Sequence, residues 1–153
     1  MENICVFFGN RTALLSERDD RRLRALIMYL IRHRQVECFW VGKHGDFDKY
    51  VTDVLQEIRQ KYPKIRVMLV LNEMPKEKER ITYDETRYDK TIYPIDMEFC
   101  MPRFSIVYKN RFMAKMCTYA VCYVATKGGA SKAMDYAVSQ KKTVVNIYRL
   151  PKV

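Results

Sequence analysis

The chain has 153 residues and a hydrophobic content of 48%, which is enough for one domain to bury a core without disulfides or metal. No stretch of about 18 apolar residues occurs, so we expect neither a membrane-spanning helix nor a membrane partner. The net charge of +10 favours anionic partners, above all phosphates, and leaves nucleic acid open as a second class.

The cysteine and histidine content argues against disulfides and zinc. The five cysteines lie mostly in apolar segments without a C-x-x-C pair, and the chain has only two histidines. The apolar residues 4–8 follow almost directly after Met1, so we expect no signal peptide. These features predict a cytoplasmic protein with reduced thiols, no metal and no cofactor.

Apolar runs and amphipathic segments alternate along the chain. Residues 4–8 are typical of a buried strand, and Ser16 with Asp19 is typical of a capping box that opens a helix. Asp46 can cap the second helix. Further strands are predicted at residues 38–42, 65–71, 92–93, 119–124 and 143–147, and further helices at residues 103–116 and 131–140.

This alternation predicts an α/β fold with a mostly parallel sheet and helices on both faces. We therefore predict a single Rossmann-like domain that spans residues 1–153. Residues 72–90 interrupt the alternation and are highly charged. We interpret them as a mobile lid that lies beside the site and becomes more ordered when ligand binds.

The first helix carries a concentration of arginines. Such charge more often marks a solvated helix face than a nucleic-acid site. The residues concerned are Arg18, Arg21, Arg22, Arg24, Arg32 and Arg34.

Three polar or glycine-containing loops follow predicted strands. In a parallel sheet, ligands bind beyond the carboxyl ends of the strands, so these loops are expected to meet at one edge. The loops are Gly9-Asn10-Arg11, Lys43-His44-Gly45-Asp46 and Lys127-Gly128-Gly129-Ala130. The last one leads into a helix, whose unpaired N–H groups suit a phosphate or carboxylate, although a plain tight turn is the alternative.

Several side chains are candidates for ligand contact. Asn10 and Arg11 offer donors to a phosphate or ribose, and His44 can reach a phosphate or lie at the rim. Asp46 is either a helix cap or an acceptor for ribose hydroxyls. Arg111 lies in Lys109-Asn110-Arg111 on the helix before the glycine loop, and it is either a solvated side chain or a clamp for phosphate. Asp135 is either a ribose contact or a favourable charge near a helix N-terminus.

The order and spacing of these motifs resemble the SLOG superfamily, the Rossmann-like group that includes DprA and LOG proteins, and most closely its YpsA-like branch. The matching stretches are residues 8–11, 41–48, 57–63, 65–66, 109–113 and 128–137. The resemblance implies a nucleotide, a nucleotide-derived signal or a nucleic acid as ligand.

The resemblance also bears on chemistry. In the LOG phosphoribohydrolases an arginine and a glutamate serve the reaction, and here Arg111 falls close to that arginine and Asp135 on that glutamate. Lys127 and Ser131-Lys132 depart from the Pro-Gly-Gly-x-Gly-Thr turn of those enzymes. The resemblance therefore supports binding more than hydrolysis.

The sequence favours a protein that binds a nucleotide or an ADP-ribose-like ligand. One alternative is an N-ribohydrolase of nucleoside monophosphates, with Asp135 and Arg111 as catalytic residues. Another alternative is a DprA-like binder of single-stranded nucleic acid, and a homo-oligomer is left open. The candidates for such strand binding are Tyr83, Tyr88 and Tyr93 beside Arg80, Arg87 and Lys90.

Overall fold

The computed structural model describes residues 2–74 and 87–149. The strands in these ranges are β1 (Asn3–Gly9), β2 (Val36–Val41), β3 (Arg66–Val70), β4 (Lys90–Ile92), β5 (Tyr119–Tyr123) and β6 (Thr143–Asn146). They form one sheet in the order β4-β3-β2-β1-β5-β6, and every pairing is parallel. The predicted α/β, Rossmann-like architecture is thereby confirmed.

Helices cover both faces of this sheet. They are α1 (Glu17–Arg34), α2 (Asp46–Lys61), α3 (Ser105–Met116) and α4 (Gly129–Ser139). Cys5 and Phe7 of β1 pack into the core with α1 and α2, whereas Val6 and Phe8 pack into a second core with α3 and α4. Successive side chains of a strand point to opposite faces, so a strand buried on both faces is a continuous apolar run.

The ends of two helices differ from the sequence prediction. Ser16 and Asp19 form the predicted capping box at the start of α1. Asp46, however, does not cap α2, because Gly45 occupies that position without a side-chain hydrogen bond. The predicted cap at Asp46 is therefore wrong. Helix α3 begins at Ser105 rather than residue 103, because Pro102–Phe104 forms a 3-10 turn.

The order in which the chain adds strands to the sheet reverses at β1. The chain adds β2, β3 and β4 on one side of β1, and then returns to add β5 and β6 on the other side. The loops after β1 and β5 therefore leave in different directions and open a crevice at the carboxyl edge, which is where ligands bind in such folds. Within the described ranges, no helix combines the length and the apolar character needed to cross a bilayer.

The predicted lid at residues 72–90 falls largely on residues 75–86, which lie outside the described residues. The described end of this segment is attached to α2 and β3. Arg87 forms an ion pair with Asp53, and the backbone N–H of Val67 donates to Asp89 Oδ2 over 2.7 Å. The lid itself stays a prediction.

Replacing Gly9 by Ala is expected to destabilise the protein by about 1–3 kcal/mol. A Cβ at this position would stand 2.2 Å from Cγ and Cδ2 of Phe47, which is fully buried. Urea unfolding followed by the fluorescence of Trp40, the only tryptophan, measures the change. Gly128→Ala is the control, because a Cβ there meets no atom within 4 Å. Equal midpoints for both variants would contradict close packing at Gly9.

Candidate functional site

A cavity of about 390 Å³ opens at the crevice between the ends of β1 and β5. This volume lies within the usual range for small-molecule sites. Loops after β1, β2 and β5 and one side of α3 form its walls. The predicted ligand residues that line it are Gly9, Asn10, Arg11, His44, Gly128, Gly129 and Ala130.

The two glycines at the start of α4 have open space around them. A Cβ on Gly128 or on Gly129 would meet no atom within 4 Å. Gly128 has φ 161°, which is extended backbone that any residue adopts. Neither packing nor backbone conformation therefore explains why both residues are glycines. Because neither residue has a side chain, the N–H groups of the first turn of α4 are accessible to a ligand.

Asn10 holds the loop that leads to these glycines. Its Oδ1 accepts from the N–H groups of Ala125 and Thr126 over 2.7 and 3.2 Å, and its Nδ2 donates to the Thr126 carbonyl over 3.2 Å. The side chain amide is thus largely used within the protein. Asn10 shapes the wall of the cavity, a role that the sequence prediction of a ligand donor did not include.

Gly45 and Asp46 do not line the cavity and instead fix the loop after β1. Gly45 has φ +97°, and a Cβ on it would stand 2.7 Å from Cα of Arg11. The N–H of Asp46 donates to the Arg11 carbonyl over 2.7 Å, and Asp46 Oδ2 accepts from the N–H of Ala13 over 3.2 Å. These contacts join the loop after β2 to the loop after β1. They fix the backbone position from which the exposed side chain of Arg11 extends.

Two charged residues that were not predicted lie in the floor of the cavity. Asp48 of α2 and Lys109 of α3 are only 8% and 3% exposed, and both line the cavity. A Cβ on Gly42 would stand 2.7 Å from Asp48 Oδ2 and 2.8 Å from Lys109 Nζ, so the two charged groups flank this glycine. A buried cation beside open cavity space is well suited to hold an anion.

Burial changes the ionisation of both groups. Burial raises the pKa of Asp48 to about 6, opposed by the positive charge of Lys109 and a hydrogen bond from the backbone of His44. Burial also lowers the pKa of Lys109, and the Asp48 charge opposes that shift. The floor therefore holds a carboxyl group with a pKa of about 6 next to a desolvated ammonium group.

His44 is fixed at the wall by a chain of hydrogen bonds. Its Nε2 lies 2.9 Å from Oδ1 of the buried Asn72, whose Nδ2 donates to Ser105 Oγ over 2.9 Å. Because an amide oxygen only accepts, His44 donates from Nε2 and keeps Nδ1 as an acceptor. Burial lowers the pKa of His44, so the ring is neutral at neutral pH.

Arg111 and Asp135 lie outside this cavity. They line a neighbouring cleft of about 360 Å³ between α3 and α4, where the Arg111 guanidinium lies over the ring of Tyr136, 5.2 Å from its centroid. Asn110 and Gly129 line both spaces, so the cleft adjoins the cavity at the start of α4.

The two proposed strand-binding tyrosines that the structure describes are only partly exposed. Tyr88 and Tyr93 are half-buried and pack against the core that contains α1 and α2, and burial raises the pKa of Tyr88. Arg87 is paired with Asp53. Tyr83 and Arg80 lie outside the described residues.

The positions of Asp48 and Lys109 in the sequence pattern of their helices identify both residues as site candidates, although the sequence prediction did not include them. Asp48 lies three residues before the buried Val51, and Lys109 lies four residues before the buried Met113. Each charged residue therefore falls on the apolar face of its own helix. A charge on the buried face of a helix is a site candidate in its own right.

Searches of protein-family models and of curated proteins find no match for this sequence. The resemblance to the SLOG superfamily therefore stays a prediction. Among the described residues, no group of three or more His, Cys, Asp or Glu side chains is arranged to hold a metal ion.

Proposed function

We propose that the protein binds a nucleotide or an ADP-ribose-like ligand in the cavity between β1 and β5. The observation that carries this proposal is the open space around Gly128 and Gly129 at the N-terminus of α4, in a cavity that the buried Lys109 also lines. Neither packing nor backbone conformation requires glycine at these two positions. Close approach of a ligand would require it.

Phosphate is the group that best matches the lining. The first turn of α4 supplies backbone N–H donors and the positive end of a helix dipole. Lys109 supplies a desolvated positive charge, and Arg11 and Lys127 line the same cavity. Charge-assisted hydrogen bonds of this kind are about twice as strong as neutral ones.

The part of the lining formed by His44 and Asp48 suits a sugar. Neutral His44 offers Nδ1 as an acceptor, and the carboxyl group of Asp48 lies beside it, with the His44 backbone N–H donating to Asp48 Oδ2 over 3.0 Å. Acceptors close to a phosphate subsite match the hydroxyls of a ribose. We therefore expect ribose-containing phosphates to bind more tightly than inorganic phosphate.

Replacing Gly129 by Val is expected to weaken ADP-ribose binding at least about tenfold while changing the stability by less than about 1 kcal/mol. The added side chain enters space that is empty in the protein and needed by the ligand. Calorimetric titration of the wild type and the variant measures the effect.

Ser139→Val is the matched control, because it places the same exposed valine at the far end of the same helix. Binding by wild type and Ser139→Val but not by Gly129→Val supports the site. Equal affinity of all three proteins would remove the glycine pair from it.

A ribohydrolase is the second candidate, favoured by the contact between the cavity and the cleft. A phosphate at Gly129 leaves a ribose within the space that Arg111 and Asp135 border. Incubation with nucleoside monophosphates followed by chromatography tests it. Free base that disappears in Asp135→Asn supports hydrolysis, and absence of base from the wild type rejects it.

A further inference from the structure

A buried asparagine lies behind the part of the cavity wall that His44 forms. Asn72 follows β3 at the carboxyl edge of the sheet and is only 7% exposed. It does not line the cavity, whereas its hydrogen-bond partner His44 does. Asn72 therefore reaches a ligand only through the histidine ring.

The amide of Asn72 is held at both of its polar atoms. Nδ2 donates to Ser105 Oγ over 2.9 Å, and Oδ1 accepts from His44 Nε2 over 2.9 Å. The bond to Ser105 turns the amide so that its oxygen faces the ring. A carbonyl oxygen only accepts, so this orientation requires the proton of a neutral ring to lie on Nε2.

The surroundings of His44 keep its ring neutral at neutral pH. Burial is the main cause that lowers the pKa of His44, and the hydrogen bond with Asn72 opposes this effect. Three positive charges lower the same pKa further, those of Lys109, Lys43 and Arg11. A neutral ring with its proton on Nε2 has a bare Nδ1, which acts only as an acceptor.

A bare ring nitrogen in this cavity suits a hydroxyl group rather than a phosphate. The phosphate oxygens of a ligand accept hydrogen bonds and cannot satisfy Nδ1, whereas a ribose hydroxyl donates to it. A ligand that lacks the hydroxyl leaves this half-buried acceptor unpaired, and sites of this kind reject such an analogue strongly.

We propose that Asn72 is a positioning residue that fixes His44 as the acceptor for a ribose hydroxyl, so that the cavity selects ribonucleotides over deoxyribonucleotides. This inference rests on the proposed function, since it assigns the sugar of the nucleotide that the cavity binds. It adds the residue that sets the selectivity and the class of nucleotide that is excluded.

The first test determines the position of the ring proton in the protein without ligand. The chain has two histidines, and the exposed His33 serves as the reference. Two-bond ¹⁵N–¹H spectra of histidine-labelled protein at about pH 8.5, where an exposed ring is neutral, report which nitrogen is protonated. We expect His44 to be protonated on Nε2 alone in the wild type, and to move toward the mixed signal of His33 in Asn72→Leu. Asn72→Asp keeps the proton on Nε2, because a carboxylate oxygen also accepts.

The second test measures selectivity by calorimetric titration with AMP, 2′-deoxy-AMP and 3′-deoxy-AMP. The wild type is expected to bind AMP at least about tenfold more tightly than one of the two deoxynucleotides. In Asn72→Leu this ratio falls below about threefold, mainly because AMP binds more weakly. Asn3→Leu is the matched control that keeps the ratio, because it removes an asparagine hydrogen bond, to the Arg34 carbonyl, at the opposite end of β1. Unfolding followed by Trp40 fluorescence verifies that both variants are folded.

The outcomes separate this inference from the proposed function. A proton on Nδ1 of His44 in the wild type, or an unchanged His44 spectrum in Asn72→Leu, overturns the positioning role without any ligand. Equal affinity of the wild type for all three nucleotides, or a preference for AMP that Asn72→Leu retains, overturns the inference while the cavity stays a nucleotide site. Absence of AMP binding also overturns the selectivity, and the proposed function fails with it only if ADP-ribose does not bind either.

Discussion

Replacing Lys109 by Met is expected to weaken ADP-ribose binding about tenfold to a hundredfold, since a hydrogen bond to a charged group contributes about 1.5–3 kcal/mol. Lys109 is 3% exposed and lines the cavity floor, so its charge acts on a bound phosphate with little screening by water. Met keeps the length of the side chain and its packing but removes the charge. Calorimetric titration of the variant gives the affinity.

The fold of this variant is expected to survive. Without the Lys109 charge, the pKa of Asp48 rises above its value of about 6, so its carboxyl group becomes neutral and no isolated buried charge remains. Unfolding followed by Trp40 fluorescence checks the stability. Lys115→Met, at an exposed position of the same helix, is the matched control. Wild-type affinity in a folded Lys109→Met protein would show that this lysine does not contact the ligand.

ADP-ribose binding is expected to tighten several-fold as the pH falls from about 8 to about 5. Above pH 6 the Asp48 carboxylate is ionised and repels a phosphate, and protonation removes that repulsion. The diphosphate of ADP-ribose keeps its charge over this interval, so the ligand does not contribute to the change. Protonation of His44, whose pKa is lowered by burial, adds positive charge only toward the acidic end.

Asp48→Asn isolates the contribution of this carboxyl group. Its oxygen still accepts from the backbone N–H of His44, but it carries no charge at any pH. We expect the variant to bind ADP-ribose at pH 8 about as tightly as the wild type does at pH 5, with a flatter pH profile. A profile as steep as that of the wild type would assign the pH dependence to another group.

The ionisation of Asp48 also makes the free energy of unfolding depend on pH. The folded pKa of Asp48, about 6, lies above its ordinary value of 3.8. The stabilisation from Asp48 is therefore fully present below about pH 3.8 and is lost as the pH rises through about 6.

The architecture was accessible from the sequence because each strand and helix carries its own periodicity. Residues 4–8 form a continuous apolar run, which predicts a strand buried on both faces, and the structure buries residues 5–8 of that run. The topological rule for parallel sheets then brought the loops after β1, β2 and β5 to one edge. Local pattern and global fold agree in these elements.

The roles of individual side chains were less accessible. Gly9 was predicted as part of a loop at the ligand edge, but glycine is required there because the ring of Phe47 occupies the space of a Cβ. Asn10 and Asp46 were assigned to a ligand, whereas both satisfy backbone N–H groups of the loops. Polar loop side chains serve either purpose, and only the three-dimensional contacts distinguish them.

The placement of charges on α3 also depends on the tertiary structure. Lys109 and Arg111 are two residues apart on a helix, so their positions are related by a rotation of about 200° around the helix axis. Packing of α3 turns Lys109 into the cavity and leaves Arg111 over Tyr136 in the cleft. The sequence shows two cations close together, Lys109 and Arg111, but not which of them faces the sheet edge.

In the proposed complex, the first turn of α4 holds the phosphate of the ligand. Amide chemical shifts of ¹⁵N-labelled protein, recorded during a titration with ADP-ribose, test it most directly. We expect the largest shift changes at the N–H groups of Gly129, Ala130 and Ser131, with smaller changes in the loop after β1. Saturation by ADP-ribose with these three amides unmoved, and the largest changes elsewhere in the protein, would contradict the account.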